Sequence, residues 1–242
     1  MDDSEAADIR RSAQALYADG QAIWHKQDRW NSHKRAGIER FVTDKCMPIL
    51  GGARTILNAG SGGEPYGWMP THSINTDLFL EQVKRLSRGV VSDICRLPFA
   101  DATFDLNICV GSVLNYVSLL EALAELSRSL KRRGHLIIHF ESSNSFEQWF
   151  TPNWNKSVAR ITTINSGRVD KIWVYSPKFV VEVLASFGLQ VRQRDSFHIA
   201  SAMASRLGQK QDRAARFGNF DGWLKLFGAA GDDQIILAEK VS

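Results

Sequence analysis

Short apolar runs alternate along this chain with segments in which apolar positions recur at helical spacing. The helical spacing lies near 79–87 and 118–131. The apolar runs lie at 54–59, 72–76, 89–92, 104–110 and 134–140. Because strands that alternate with helices favour a parallel sheet with right-handed crossovers, this pattern predicts an α/β fold.

Two amphipathic helices are predicted before the first strand. The first lies within residues 2–20, ends at Asp19-Gly20, and carries the apolar positions Ile9, Ala13, Leu16 and Tyr17. The second begins near Ser32 as N-cap and buries Ile38, Phe41, Val42 and Met47. We therefore expect a helical cover over residues 1–50, at the ligand edge of the sheet, and a main domain over 51–242.

The alternation breaks at residues 145–175. Two β-branched runs of period 2, at 158–164 and 169–175, flank Asn165-Ser-Gly167 and predict a hairpin inserted as a cap after the fifth strand. Further elements are a helix at 177–187, strands at 189–200 and 234–240, and a basic helical insertion at 203–228. Only 64–71, with Pro65, Gly67 and Pro70, follows the glycine-rich turn, so we expect a loop or a single turn there.

Composition limits the classes of protein that fit. With 242 residues and 44% hydrophobic content, the chain can bury one α/β domain with an appended cap. The net charge of +4 comes from interspersed acids and bases, so it does not by itself indicate a nucleic-acid partner. Cys46, Cys95 and Cys109 have no C-x-x-C spacing, which disfavours a metal or a disulfide framework.

The N-terminal residues lack the pattern of a secretory signal, and no apolar stretch is long enough to cross a bilayer. We therefore predict a cytoplasmic protein. The sequence leaves its oligomeric state open.

Candidate chemistry collects where predicted strands end. A glycine-rich turn, Asn58-Ala-Gly-Ser-Gly-Gly63, follows the first strand, Asp77 ends the second, and Asp93 ends the third. Glycine at position 60 or 62 lets the backbone approach a ligand closely. Because ligands of open α/β sheets bind beyond the carboxyl ends of the strands, these residues predict three edges of one adenosine-shaped pocket.

This order of motifs resembles the class I S-adenosylmethionine-dependent methyltransferase family, well over residues 50–142 and in outline elsewhere. The matching positions are Asn58, Gly60, Gly62, Asp77, Asp93, Leu97-Pro98-Phe99, Phe104-Asp105 and the helix and glycine turn at 122–135. The resemblance implies a doubly wound, Rossmann-like sheet of seven strands, mostly parallel with an antiparallel last strand.

The resemblance also implies S-adenosyl-L-methionine as cofactor and S-adenosyl-L-homocysteine as product. The methionine part would lie over the glycine turn, Asp77 would accept the ribose hydroxyls, and Asp93 would accept the adenine amine, with the Ile94 amide facing a ring nitrogen. The full expected set is Asn58, Gly60, Ser61, Gly62, Asp77, Leu78, Asp93, Ile94 and Val110. No metal is expected.

Two positions depart from the family pattern. Asn58 replaces an acid before the glycine turn, which removes a charge near the cofactor ammonium, and Glu64 replaces a third glycine. A dinucleotide-binding fold also uses a glycine turn and an acid after the second strand, so that alternative stays open. It explains Leu97-Pro98-Phe99 and Phe104-Asp105 less well.

On the acceptor side, the resemblance places Asn115 and Tyr116 at the border between cofactor and substrate, with Tyr116 orienting the acceptor or packing in the core. Glu141 ends the fifth strand, shares a face with His139, and is the candidate base or orienting group. Further aromatic residues could wall a substrate pocket or fasten the covers to the sheet. The substrate-binding candidates are Asn115, Trp149, Trp173 and Tyr175, with Trp24, Trp30, Phe150 and Trp154 in the same aromatic set.

We predict methyl transfer by in-line displacement to a small molecule or a glycan or secondary-metabolite precursor, at oxygen or nitrogen. The chain lacks an Asn/Asp-Pro-Pro-Tyr/Phe run after the fourth strand, which disfavours flipped bases and glutamine side chains. The alternatives are an RNA methyltransferase and a cofactor-binding protein without activity. Residues 206–227 could contact a membrane surface, and His25, His33 and His198 are predicted to be packing residues.

Overall fold

The computed structural model describes residues 3–18, 28–165, 168–224, 228 and 230–241. Its strands are β1 Ile56–Ala59, β2 Ile74–Asp77, β3 Gly89–Val91, β4 Phe104–Cys109, β5 Leu130–Glu141, β6 Val158–Asn165, β7 Arg168–Tyr175, β8 Leu189–Phe197 and β9 Asp233–Lys240. Its α-helices are α1 Asp3–Tyr17, α2 Arg29–Lys45, α3 Met47–Gly52, α4 Leu80–Val83, α5 Leu119–Ser129, α6 Pro177–Ser186, α7 Ile199–Arg206 and α8 Gln211–Ala214. Single 3₁₀ turns lie at Val113–Tyr116, Phe146–Gln148 and Ala215–Phe220.

The main sheet has seven strands in the order β3-β2-β1-β4-β5-β9-β8. Pairs from β3 to β5 are parallel, and β9 runs antiparallel to both of its neighbours, β5 and β8. The predicted fold class is therefore confirmed. Strand order reverses between β1 and β4, so the loops that follow these two strands diverge and leave a crevice at the carboxyl edge.

Helices cover both faces of this sheet. On one face α5 and α6 pack against alternate strand residues such as Leu57, Phe104 and Ile138. On the other face α2 and α3 pack against the remaining set, which includes Ile56 and Leu106. The segment 64–71 forms turns and no helix, as predicted, so α2 provides apolar cover on the second face.

Several element boundaries differ from the predicted ones. The α2 helix begins at Arg29 because the Asp28 carboxylate accepts the Asn31 amide at 3.0 Å, so Asp28 and not Ser32 is its N-cap. Met47, expected in the core, starts α3 with 45% of its surface exposed. Strand β8 ends at Phe197, because His198 adopts a left-handed φ of 57° and α7 begins immediately after it.

The predicted hairpin forms a separate two-stranded sheet, in which Val158 pairs with Tyr175 and Asn165 pairs with Arg168. Helix α1 packs on it: the Ser12 hydroxyl donates to Asp170 at 2.9 Å, and the Lys171 ammonium lies 2.8 Å from Asp8. The hairpin and the N-terminal helix therefore form one continuous cover.

The basic segment contains the end of α7, then α8 and a 3₁₀ turn, so it is helical only in short pieces. Some predicted features lie outside the described residues: Trp24, His25, Ser166-Gly167 and 225–227. In the described part of the chain, no helix is both long and apolar enough to span a membrane.

Replacing Asp28 with alanine should lower the free energy of unfolding by about 1 kcal/mol, since the amides at the start of α2 lose their acceptor. Urea denaturation followed by circular dichroism measures this change. The control is Ser32→Ala, because Ser32 is an exposed residue inside the helix. Equal losses in the two variants would contradict the assignment of the cap.

Candidate functional site

The loop after β1 has a backbone shape that requires glycine. Gly60 and Gly63 have φ values of 72° and 75°. A Cβ on Gly60 would lie 2.5 Å from Val113 Cγ2, and one on Gly63 would lie 2.5 Å from Gln82 Oε1. The Gly60 and Ser61 amides donate to the Thr76 carbonyl at 2.9 and 2.8 Å, which holds the loop against β2.

Asp77 joins this loop to the end of β2. One carboxylate oxygen accepts the Gly62 amide at 2.8 Å, and the other accepts the Phe79 amide at 3.1 Å. Burial raises the pKa of Asp77 above its ordinary value, and these amides offset part of that rise. Because a carboxylate has about four acceptor positions, two remain for a ligand.

Asp93 follows β3 and lies under helix α1. Its Oδ1 accepts the Cys95 amide at 2.9 Å, and its Oδ2 accepts the Arg10 guanidinium at 3.0 Å. The partner from α1 was not predicted, because nothing in the sequence indicates which strand end Arg10 reaches.

One cavity, which we call the glycine-loop cavity, is bordered by every residue of the expected cofactor set. Those residues are Asn58, Gly60, Ser61, Gly62, Asp77, Leu78, Asp93, Ile94 and Val110. The rest of the lining is Arg10, Ala13, Tyr17, Tyr66, Phe79, Gln82, Ser92, Gly111, Val113, Tyr116 and Val117. Asn58 donates its amide to Asn75 at 2.9 Å, so the residue that replaces the family acid is held by a neighbouring strand.

A second cavity adjoins the first, and the two share Tyr17, Gly111 and Tyr116 in their linings. We call it the acidic cavity because four carboxylates border it: Glu141, Glu147, Asp170 and Asp232. The rest of its lining is Tyr17, Trp30, Asn31, Lys34, Gly111, Ser112, Tyr116, Ile161, Thr163, Ile164, Ile172 and Gln211.

Lys34 of α2 is the buried cation beside these acids. Its ammonium lies 2.5 Å from Glu141 and 3.4 Å from Asp233, and it donates to the Ser112 hydroxyl at 3.1 Å. Burial alone would lower the pKa of Lys34, but the Asp233 and Glu141 carboxylates more than offset this and raise it. Lys34 is therefore charged and fully engaged.

Asp233, at the start of β9, is surrounded by donors. His139 Nε2 lies 2.9 Å from one oxygen and His198 Nδ1 lies 2.6 Å from the other. His139 Nδ1 accepts the Ser112 amide at 3.0 Å, so its Nε2 carries the hydrogen that is donated to Asp233. Burial opposes the charge of Asp233, but Lys34 and the histidines hold its pKa well below the ordinary value.

Glu147 and Asp232 lack a comparable cation. Burial, together with the charges of Glu141 and Asp233, raises the pKa of Glu147 to about 7. Burial and the neighbouring Glu147 raise the pKa of Asp232 well above its ordinary value. Neither these acids nor Lys34 are predicted as site residues. The sequence signal for them is the acidic pair Asp232-Asp233, which directly precedes an apolar strand.

The two expected catalytic residues both border the acidic cavity. Glu141 accepts the Ser112 hydroxyl at 2.9 Å besides pairing with Lys34. The Tyr116 hydroxyl donates to Asp170 at 2.5 Å and lies 2.9 Å from the Tyr17 hydroxyl. Burial raises the pKa of Tyr116, so it remains protonated and acts as a donor.

The four expected substrate residues border neither cavity. The Asn115 side chain is engaged within the fold. Its nitrogen donates to the Trp173 carbonyl, and its oxygen accepts the Glu141 backbone amide at 3.0 Å. Trp173 and Tyr175 are buried in the core, with the Tyr175 hydroxyl donating to the Leu114 and Val117 carbonyls. Trp149 is 42% exposed and stacks on Phe150. The burial of Trp173 and Tyr175 agrees with the alternative in which aromatic residues fasten the covers to the sheet.

Of the three histidines predicted to be packing residues, His33 and His198 lie within the described residues. His33 lies 3.3 Å from Asp221, and His198 stacks between Trp30 and His33 while facing Asp233. The three cysteines are free, and Cys46 and Cys109 are buried.

Comparison with known proteins identifies residues 57–138 as a match to the family model for a methyltransferase domain. An uncharacterized protein of Methanocaldococcus jannaschii is 41% identical over 89 residues, 34% of this chain and 39% of that protein. A demethylmenaquinone methyltransferase of Mycolicibacterium vanbaalenii is 28% identical over 115 residues, 46% of this chain and 49% of that enzyme. The chain thus spans less than half the length of these relatives.

Among solved structures, a Burkholderia thailandensis 1,6-didemethyltoxoflavin-N1-methyltransferase superposes with a TM-score of 0.57. The match covers 99% of this chain and 90% of that one at 14% identity. That enzyme was crystallised with 1,6-didemethyltoxoflavin and S-adenosylhomocysteine. At this identity the match describes the fold alone, and the predicted resemblance to a methyltransferase domain is confirmed over residues 57–138.

Replacing Lys34 with methionine should lower the free energy of unfolding by about 3–5 kcal/mol at neutral pH, since it leaves two buried carboxylates without their cation. The loss should shrink as pH falls toward the ordinary carboxyl pKa of about 4. Without Lys34 the folded-state pKa of these acids rises, so they take up protons and the penalty disappears.

Urea denaturation across this pH range measures both effects. The control is Lys178→Met, which removes an exposed pair with Glu182 at 3.9 Å and should change stability by less than about 0.5 kcal/mol. A loss that is small, or independent of pH, would contradict the assigned charge pairing.

Proposed function

We propose that the protein transfers a methyl group from S-adenosylmethionine to a small molecule, because residues 57–138 match the methyltransferase-domain family model within a fold that methyltransferases share. The observation that carries the proposal is the grouping of Gly60, Asp77 and Asp93 around one cavity. A second cavity opens beside it at Tyr116.

The residues of the glycine-loop cavity fit the cofactor. Gly60 leaves a space that a Cβ would fill, and the buried Ser61 hydroxyl has no hydrogen-bond partner among the described residues. Asp77 keeps acceptor positions for two ribose hydroxyls, and Asp93 lies where an adenine amine would need an acceptor. The bound cofactor would supply an electrophilic sulfonium methyl group.

The chain's own contribution is orientation and exclusion of water. Tyr17 and Ala13 of α1 close one side of the glycine-loop cavity, and Arg10 pairs with Asp93 at its rim. Tyr116 and Glu141 would orient the acceptor from the side of the acidic cavity. Holding both reactants in line converts a bimolecular step into an effectively unimolecular one.

A small-molecule acceptor has more support than RNA. Four carboxylates border the acidic cavity, and like charges would repel a phosphodiester backbone. The two methyltransferases compared above act, by their names, on demethylmenaquinone and 1,6-didemethyltoxoflavin, both small molecules. Glycan and secondary-metabolite precursors are members of this class, and the accepting atom would be oxygen or nitrogen.

Replacing Asp77 with asparagine should weaken binding of S-adenosylhomocysteine by about 10- to 100-fold, because a charged acceptor for the ribose hydroxyls is lost. Isothermal titration calorimetry measures the affinity of each variant. The control is Asp101→Asn, since Asp101 is an exposed acid outside the cavity lining.

Methyl transfer itself is measured with isotope-labelled S-adenosylmethionine and a broad panel of small acceptors. Turnover that Asp77→Asn abolishes would support the proposal. Absence of heat on titration of both cofactor and product would exclude it, and binding without turnover on any acceptor would indicate a binding protein without activity.

A further inference from the structure

We propose that the small molecule bound in the acidic cavity carries a protonated amine, and that Asp232 and Glu147 hold its ammonium group. This inference rests on the proposed function and names the substrate class of the same site.

The charges around the acidic cavity do not balance. Four carboxylates border it, and Lys34 is the one cation in its described lining. Lys34 is shared between Glu141 at 2.5 Å and Asp233 at 3.4 Å, so its charge is already offset. Asp170 accepts hydroxyl groups from Ser12 and Tyr116. Glu147 and Asp232 are left with no cation.

The buried Asp232 carboxylate also lacks a partner within the described residues. It is 6% exposed and borders the cavity, yet its carboxylate makes no hydrogen bond or ion pair within the described residues. Buried charged groups are otherwise paired, because an isolated carboxylate loses its hydration without compensation. A partner from outside the chain is therefore the group that this carboxylate lacks.

The negative charge of Glu147 raises the pKa of Asp232, which places the two acids close together. Two neighbouring carboxylates without a cation retain a proton between them. An ammonium group has three donors and one positive charge, so it can replace that proton and bond to both acids.

The surroundings favour an organic amine over a metal ion. His198, Asp232 and Asp233 could together hold a metal, but both Asp233 oxygens already face histidine donors. Lys34 lies 3.4 Å from one of them and would repel a divalent ion. Trp30, Ile161 and Ile172 also line the cavity, and they suit the apolar part of an amine.

Two matched probes test the inference: phenethylamine and its neutral counterpart 2-phenylethanol, titrated into the chain saturated with S-adenosylhomocysteine. We expect the amine to bind at least about 10-fold more tightly than the alcohol, as for a charged hydrogen bond. Asp232→Asn and Glu147→Gln should each remove this preference and leave the affinity for S-adenosylhomocysteine unchanged. The control Asp212→Asn, at an exposed acid outside the lining, should keep the preference.

A second measurement is urea denaturation, first without a ligand and then with the amine. Asp232→Asn should raise the urea midpoint of the free chain at neutral pH, because the raised pKa of Asp232 costs stability above the ordinary carboxyl pKa, and an amide does not titrate. Saturating phenethylamine should raise the midpoint of the unmodified chain and have no effect on the variant.

Failure of the two proposals can be told apart. Absence of S-adenosylhomocysteine binding excludes the proposed function. Binding of S-adenosylhomocysteine with equal affinity for amine and alcohol, or with no binding of the amine, overturns this inference alone. Tight Mg²⁺ binding that Asp232→Asn abolishes and phenethylamine does not displace would assign the site to a metal and also overturn it.

Discussion

The Lys34 ammonium, buried between Glu141 and Asp233, is the interaction on which the arrangement of this molecule depends. It joins helix α2 to the end of β5 and the start of β9, at the edge of the sheet where the cavities open. Two acids on neighbouring strands could not be buried together without this cation, because each would carry an unpaired charge in a region of low dielectric constant. The position of α2 is therefore set by charge as well as by its apolar residues. Gly37 supports the same placement, since a Cβ there would lie 2.7 Å from the Phe197 ring.

Helix α1 and the hairpin cover the cavities, and hydrogen bonds and ion pairs hold them in place. Helix α1 reaches Asp93 through Arg10 and reaches the hairpin through Ser12 and Asp8. Tyr116 donates to the hairpin residue Asp170, so the loop after β4 bonds to the same cover. The ion pairs Arg10–Asp93 and Lys171–Asp8 lie at partly exposed positions, where single ion pairs contribute little to stability. These two ion pairs can thus separate at modest cost, whereas the hydrogen bonds to buried Asp170 hold the cover more firmly.

The acidic cavity shows that stability and ligand recognition impose opposite demands on the same residues. A core of apolar side chains at the positions of Asp232 and Glu147 would be more stable, because neither acid has a cation within the described fold. Buried acids that a fold does not need for its own packing are concentrated at functional sites. Their position beside Tyr116 and Gly111 places them next to the glycine-loop cavity.

The sequence by itself determined the parallel order of the sheet, the hairpin insertion and the grouping of Gly60, Asp77 and Asp93, because these follow from local patterns and from the ends of parallel strands. It also indicated that Tyr116 and Glu141 lie at the border of the site. Only the tertiary structure decided that Lys34, Glu147 and Asp232 meet, since they come from α2, the turn after β5 and the residue before β9. It likewise decided that Trp173 and Tyr175 pack in the core and not around a ligand. Neither outcome can be predicted from composition or periodicity, because pairing across more than 100 residues depends on how the covers fold onto the sheet.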